Sequence, residues 1–212
     1  MSTIWKRLES WLAEQAPELL EDLNPGCSVE ELENLERQIG STLPDSFRLF
    51  YLGHDGQMSC EPFGLFMGLT FLSIQNVTHY QQTWAGLVDM NEEMASSMSS
   101  RPDGYIRPLY ANPKWIPFTH DEAGNHIGID LDPDTLGTWG QVIVFGRDED
   151  IKQVISTSFD SFLERLLQEL EGGNFLVEDG EVRFHHYPDG FPESVEDVHA
   201  NDIFKRFWNF VE

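Results

Sequence analysis

Asp130, Asp132 and Asp134 alternate along one short stretch, the pattern by which carboxylates of a calcium loop converge on a single ion. Pro133 interrupts the turn that such a loop needs. No glycine stands at the sixth position, and Gln141 occupies the twelfth, where a bidentate Glu is required. The three aspartates therefore read as strand-end and turn residues. His120, Asp121, Glu122 and His126 offer nitrogen and oxygen donors, but the spacing of the two histidines is not the i, i+4 spacing of a helical metal motif, and no third strong ligand is near. A β-turn from Asp121 to Asn125 is the plainer reading. His185 and His186 sit just past an expected hairpin strand, so their side chains should point to opposite faces and cannot share one ion. Neither Gly-x-Ser-x-Gly nor a phosphate-cradling glycine loop occurs, and Cys27 and Cys60 have no CxxC spacing and no plausible His partner. No catalytic residue, no metal and no cofactor is expected from these patterns.

The formal charge is −24, from 37 acidic and 13 basic side chains. A field of that sign repels phosphate backbones and anionic lipid surfaces, so neither nucleic acid nor a membrane is expected as partner. Solubility alone accounts for acidity of this kind, and a basic protein partner is the sharper alternative. With so many carboxylates some pairs fall close by chance, so paired acids carry no information about acid/base catalysis. Two cysteines without a framework, an N-terminus that reads as a charged amphipathic helix rather than a signal peptide, and no apolar run of bilayer length point to the reducing cytoplasm. The oligomeric state is left open.

At 212 residues and 40% hydrophobic, the chain can bury one sizeable core. Ile4, Leu8, Trp11 and Leu12 lie at helical spacing. Ser28 and Glu31 form a capping-box pattern before Val29, Leu32, Leu35 and Ile39, with Gly40 as stop. In the next segment Pro44 fits a first helical turn, Phe47, Phe50 and Tyr51 share a face, and Asp55-Gly56 closes it as a tight turn. Leu65 to Leu72 reads as a buried strand, and Ile74 to about Met90 as a helix. Glu92 to Gly104, rich in Ser with Pro and Gly, reads as a mobile loop. Ile116–Phe118, Asn125–Leu131 and Gln141–Phe145 read as an antiparallel meander. Ser158 caps a helix carrying Phe159, Phe162, Leu163, Leu166, Leu167 and Leu170. An Asp-Gly pair joins Phe175–Val177 to Val182–Phe184 as a hairpin, and residues 202–210 read as a final helix. The expected class is α+β, a mostly antiparallel twisted sheet covered by helices, with residues 1–173 as the main domain and 174–212 as a hairpin and helix extension packed on it.

Three blocks in this order resemble the SUKH superfamily, the Smi-Knr-like family named partly for fungal cell-wall-synthesis regulators. The first runs from Gly26 through the Ser28-capped helix and Ile39-Gly40 to Leu43-Pro44-Asp45-Ser46-Phe47 and His54-Asp55-Gly56. The second is Trp115-Ile116-Pro117-Phe118 with Asp121, Gly124-Asn125-His126 and Ile129-Asp130-Leu131-Asp132-Pro133. The third is Gly140-Gln141-Val142-Ile143 with Ser158-Phe159 and Phe162-Leu163. The resemblance covers about Trp5 to Leu170. The chain departs from the family pattern in Asn125, where many members carry an acid, in an insertion around Met94 to Asp103, and in an extension after Gly173.

The resemblance implies a protein-binding module without a shared catalytic set. Bacterial members are typically immunity proteins that occlude a cognate toxin, often a nuclease or deaminase, and fungal members regulate and scaffold cell-wall synthesis. Given the charge, the leading expectation is an immunity protein on a basic toxin domain, and the alternative is a regulator or scaffold of cell-wall assembly. Trp115, Phe118, Asp121, Asp130 and Asp132, expected to turn and cluster at the sheet's edge, are the expected partner-binding residues. Each has a plainer role open to it, Trp115 and Phe118 as core and the aspartates as turn formers.

Overall fold

A computed structural model of the chain describes residues 3–58, 64–178, 181–184 and 204. The amphipathic opening forms α1 (Thr3–Gln15), which buries Trp5, Leu8 and Leu12 and only partly covers Ile4 and Trp11. The helix is thus turned so that Trp5 lies innermost. Its indole N–H donates to the Phe50 carbonyl at 2.6 Å, and its ring stacks on Phe50 at 4.3 Å.

After α2 (Pro17–Glu21) and β1 (Leu23–Pro25), the Ser28 hydroxyl and Glu31 carboxylate close a reciprocal capping box on α3 (Val29–Ile39), and Gly40 ends that helix at φ +61°. Leu32, Leu35 and Ile39 are buried. Val29, expected on the same stripe, is 49% exposed, because it occupies the first helical position at the edge of the packed face. In α4 (Asp45–Tyr51) Pro44 is the N-cap residue, one place before the turn expected to hold it, and Phe47, Phe50 and Tyr51 are buried.

Two expectations fail in the next stretch. Asp55-Gly56 does not close the segment as a tight turn but lies inside β2 (His54–Gln57), which pairs antiparallel with β1. Asp55 Oδ1 instead accepts the Ile74 N–H at 2.7 Å, at the start of the following helix, and Gly56, at φ +74°, leaves no room for a Cβ against the Ser73 nitrogen. Leu65 to Leu72 is not one strand. Phe66 and Leu69 close a tight reversal, and only β3 (Thr70–Phe71) is extended. The backbone N–H groups of Leu65 and Phe71 both donate to the Gln57 side-chain oxygen, at 3.0 and 2.9 Å, so one amide replaces part of a ladder.

The helix expected to reach Met90 is α5 (Ile74–Ala85), capped by Ser73. It is followed by a 3₁₀ turn at Val88–Met90 and by α6 (Asn91–Met94). Next come β4 (Ser99–Arg101), β5 (Trp115–Pro117), β6 (Thr119–His120), β7 (Asn125–Asp130), β8 (Gln141–Gly146) and β9 (Ile151–Ser156). The main sheet has the order β4-β9-β8-β7-β5, with β4 parallel to β9 and the other pairs antiparallel, while β6 pairs with β3. The expected meander is therefore present and extended by β9. The segment expected as a mobile loop supplies α6, the edge strand β4 and the buried Met98. A parallel partner some fifty residues away leaves no local trace in a Ser-rich stretch.

The sheet is buried on both faces. Alternation sends Ile116, Ile127, Ile129, Val142, Val144 and Ile155 into a core shared with α1, α3, α4 and α7 (Phe159–Glu171), where Phe118 packs on Phe159 at 5.2 Å and on Phe66 at 5.3 Å. Trp115, Ile143, Phe145 and Val154 face a second core made with Trp84, Met98, Ile106, Tyr110 and Ala111. The class is α+β with a mostly antiparallel sheet. Strands β10 (Phe175–Glu178) and β11 (Glu181–Phe184) pair as the expected hairpin. Val182 and Phe204 join the first core, with Phe204 at 5.4 Å from Phe162. Cys60, the Asp179-Gly180 turn, the His185-His186 pair and the expected final helix lie outside the described residues, Phe204 excepted. Among the described residues no helix is long and apolar enough to cross a membrane.

Candidate functional site

Between β7 and β8 the chain makes a loop, residues 131–140, whose base is tied by side chains. Asp130 and Gln141 are cross-strand partners. The Asp130 carboxylate accepts the Asp132 N–H and the Gln141 side-chain N–H, both at 2.9 Å, and Trp115 lies against the same carboxylate. Burial pushes the Asp130 carboxyl up to about 6, only partly offset by those hydrogen bonds. Asp132 holds the outside of the loop. Its Oδ2 forms an ion pair with Arg107 Nε and accepts from Asn112 Nδ2, each at 3.0 Å, while Arg107 Nε donates to the Asp132 carbonyl at 3.2 Å. Farther along, Asp134 N–H and Gln141 Nε2 both donate to the Tyr105 carbonyl, and Leu136 N–H donates to the Gly104 carbonyl. The loop is thereby stitched to the segment 104–112 along its length.

Of the five expected partner-binding residues, the fold brings Trp115, Asp130 and Asp132 together at this loop. Trp115 and Asp130 are fully buried there, and Asp132 is half-buried. Phe118 is fully buried on the other face of the sheet. Asp121 sits at the opposite end of β7, roughly 17 Å away along the strand. There it accepts the Ala123 and Asn125 backbone N–H groups and the Asn125 side-chain amide, at 2.7 to 2.9 Å, which closes the β6–β7 turn. Three of the five are thus buried inside the protein, and only Asp121 and Asp132 reach solvent.

Beside Asp121, the His120 and His126 rings are 5.1 Å apart. His126 donates its Nδ1–H to the Thr119 carbonyl at 2.8 Å, and burial pushes it down to about 4. His120 Nδ1 accepts the Glu122 N–H at 2.9 Å, and its ring stacks on Tyr80. Among the described residues no group of three or more His, Cys, Asp and Glu side chains is placed to hold a metal ion.

What the clamped loop displays is apolar. Leu136 is 63% and Trp139 47% exposed, and Trp139 has no hydrogen bond or ring contact among the described residues. Gly140, at φ +78°, packs so closely on Pro44 that a Cβ would lie 3.0 Å from the proline ring, which seats Trp139 against the start of α4. The ring forms one wall of a cleft of about 460 Å³ that also meets Glu33, Glu36, Asp45 and Arg48. Within it Glu36 is committed, accepting the Leu43 N–H at 2.8 Å and pairing with Arg48 at 2.6 Å. Glu33 is half-exposed, 4.0 Å from Arg37, and Asp45 is exposed without an ion pair among the described residues. Sequence reasoning missed Leu136 and Trp139. The available signal was a large apolar pair inside the turn-rich run Leu136-Gly137-Thr138-Trp139-Gly140, which belongs to no periodic element.

Such a site presents an exposed aromatic ring and carboxylates to a surface laid over it. The chain matches the model of the SMI1 / KNR4 family (SUKH-1) over residues 26–165. It is 36% identical over 192 residues to the cell wall biosynthesis/cell cycle regulator smi1 of Schizosaccharomyces pombe, covering 84% of this chain and 38% of that protein. With KNR4/SMI1 homolog 2 of Debaryomyces hansenii the identity is 34% over 216 residues, covering 84% of this chain and 37% of that one. With the cell wall assembly regulator SMI1 of Saccharomyces cerevisiae it is 30% over 214 residues, covering 85% and 42%. The chain thus spans about two fifths of the length of these relatives. The matched region contains α3, α4, the whole main sheet and the clamped loop, and on that ground the chain belongs to the SMI1 / KNR4 family (SUKH-1).

Proposed function

We propose that this chain is a protein-binding module that regulates or scaffolds cell-wall assembly and synthesis in the cytoplasm, and that it engages a basic protein. The observation that carries this reading is the similarity, over more than four fifths of the chain, to fungal proteins named as cell-wall regulators. The same similarity favours regulation over the immunity function that led the expectations from sequence. The net charge of −24 supports a cationic partner through steering and complementarity. The clamped loop supports binding, because a loop whose backbone is already held loses little further entropy on association.

The test is a chimera in which this chain replaces the matching segment of the Schizosaccharomyces pombe relative. Restored resistance of cells to a wall-digesting glucanase is the expected result. A well-expressed, folded chimera that leaves the cells as sensitive as a deletion would overturn the reading. Protection against a co-expressed basic nuclease toxin, without any effect on the wall, would return it to immunity.

A further inference from the structure

Two sets of exposed apolar side chains lie along one helix. Trp139 stands beside the first turn of α4, Leu49, 56% exposed, projects from the same helix farther on, and Leu52, 38% exposed, is its C-cap residue. Asp45 and Leu49 are spaced i, i+4, and Leu49 and Leu52 i, i+3, so Asp45, Leu49 and Leu52 share one outward stripe about 10 Å long. The inner side of α4 is fully used, with Phe47, Phe50 and Tyr51 all buried. The stripe therefore has no role in the core, and the cleft against Trp139 continues it at one end.

Charge selects the occupant. Glu36 is neutralised by Arg48, whereas Glu33, exposed and 4.0 Å from Arg37, and the exposed Asp45 line the same cleft as the indole. A second copy of the chain would bring −24 against −24, so self-association is disfavoured. We infer that the α4–Trp139 surface docks a cationic amphipathic segment of the partner, with an Arg or Lys over the Trp139 ring and between Glu33 and Asp45, and aliphatic side chains on Leu49 and Leu52. An indole face attracts a cation through its quadrupole, flanking carboxylates strengthen that attraction, and an apolar stripe at helical spacing fits the apolar side of an amphipathic helix. The inference rests on the protein-binding reading above and assigns it a surface and a partner chemistry.

The probe is a fluorescein-labelled amphipathic peptide of Leu and Arg, about 15 residues long, titrated against the full chain by fluorescence anisotropy at physiological salt. Trp139→Ala should weaken binding about fivefold, and the pair Glu33→Lys with Asp45→Lys about tenfold. The pair Glu92→Lys with Glu93→Lys, on α6 beside the second core, changes the net charge by the same amount and should weaken binding less than about twofold. Circular dichroism of each variant checks folding, and all six substituted positions, Leu49 among them, lie on the surface. Equal weakening by the two charge-reversal pairs would mean that bulk charge alone binds the peptide, and would overturn the inference. So would unchanged affinity in Trp139→Ala and in Leu49→Ser, or a dimer in sedimentation that Trp139→Ala dissociates. The chimera separates this inference from the reading beneath it. If the wild-type chimera and its Trp139→Ala form both restore the wall, the surface is wrong and regulation stands; if the wild-type chimera fails, regulation falls whatever the peptide does.

Discussion

On the face of the sheet that meets α1, α3, α4 and α7, the inward side chains Ile116, Ile127, Ile129, Val142, Val144 and Ile155 are aliphatic, and rings such as Phe118 and Phe162 fill the space beyond them. The opposite face is buried as deeply, yet it carries His126, Asp130 and Lys152 among Trp115, Phe145 and Val154. Each of the three titratable groups is driven toward its neutral form, chiefly by loss of solvent. His126 is pushed down to about 4, Asp130 up to about 6 and Lys152 down to about 8. Each also holds backbone in place. Lys152 Nζ donates to the Glu149 carbonyl while lying 5.7 Å over the Tyr110 ring and 5.9 Å over Trp115. The first face thus supplies stability, and the second trades some of it for fixed turns at both ends of β7.

The sharpest test of that contrast is Phe118→Ala on the apolar face. It removes a ring packed on Phe66, Phe159 and Phe162 and should lower unfolding stability by about 4 kcal/mol in a urea titration. A loss below about 1 kcal/mol would mean that the first core does not carry the fold.

Next in size are two opposed pH effects on the other face, each worth about 3 kcal/mol. The ordinary His value is 6.5, so the stability from His126 is full above that pH and is lost as pH falls toward 4. The ordinary Asp value is 3.8, so the contribution of Asp130 is full below that pH and is lost as pH rises through 6. Subtracting the pH profile of His126→Gln or Asp130→Asn from that of the wild type should give slopes of opposite sign between pH 4 and 6. Slopes of the same sign would break the comparison.

Lys152→Met keeps the aliphatic stem and removes the buried ammonium, and should raise stability at neutral pH by about 1–2 kcal/mol. Subtracting the Lys152→Met profile from that of the wild type should give a difference that climbs as pH rises from 8 toward the ordinary Lys value of 10.5, because Lys152 binds fewer protons there in the folded chain than in the unfolded one. A destabilised Lys152→Met would show that the bond to the Glu149 carbonyl outweighs desolvation. The smallest effect lies at the surface of the first face: Ser28→Ala removes the α3 cap and should cost about 1 kcal/mol with no pH signature near 6.

Much of the first face was legible in the chain. The Ser28–Glu31 capping box, the Ser158 cap, the helical spacing from Phe159 to Leu170 and the Asp-Gly hairpin all act within a few residues, so residue order alone specifies them. The family blocks were legible for the same reason, being short runs with fixed spacing. Charge was legible without any structure. The second face was not. Its covering segment, Glu92 to Gly104, is Ser-rich and looks like a connection, and it gains structure only when β4 finds β9 across the sheet. Nor does residue type distinguish a tryptophan that is buried, as Trp115 is, from one that is displayed, as Trp139 is. That difference is set by where the strands stop and what packs over them. Sequence determined α1, α3, α4 and α7, the hairpin, the acidity and the family of this chain because those depend on neighbours in the chain. Tertiary structure decided which aromatic rings and aspartates meet solvent, because burial is a property of distant segments brought together.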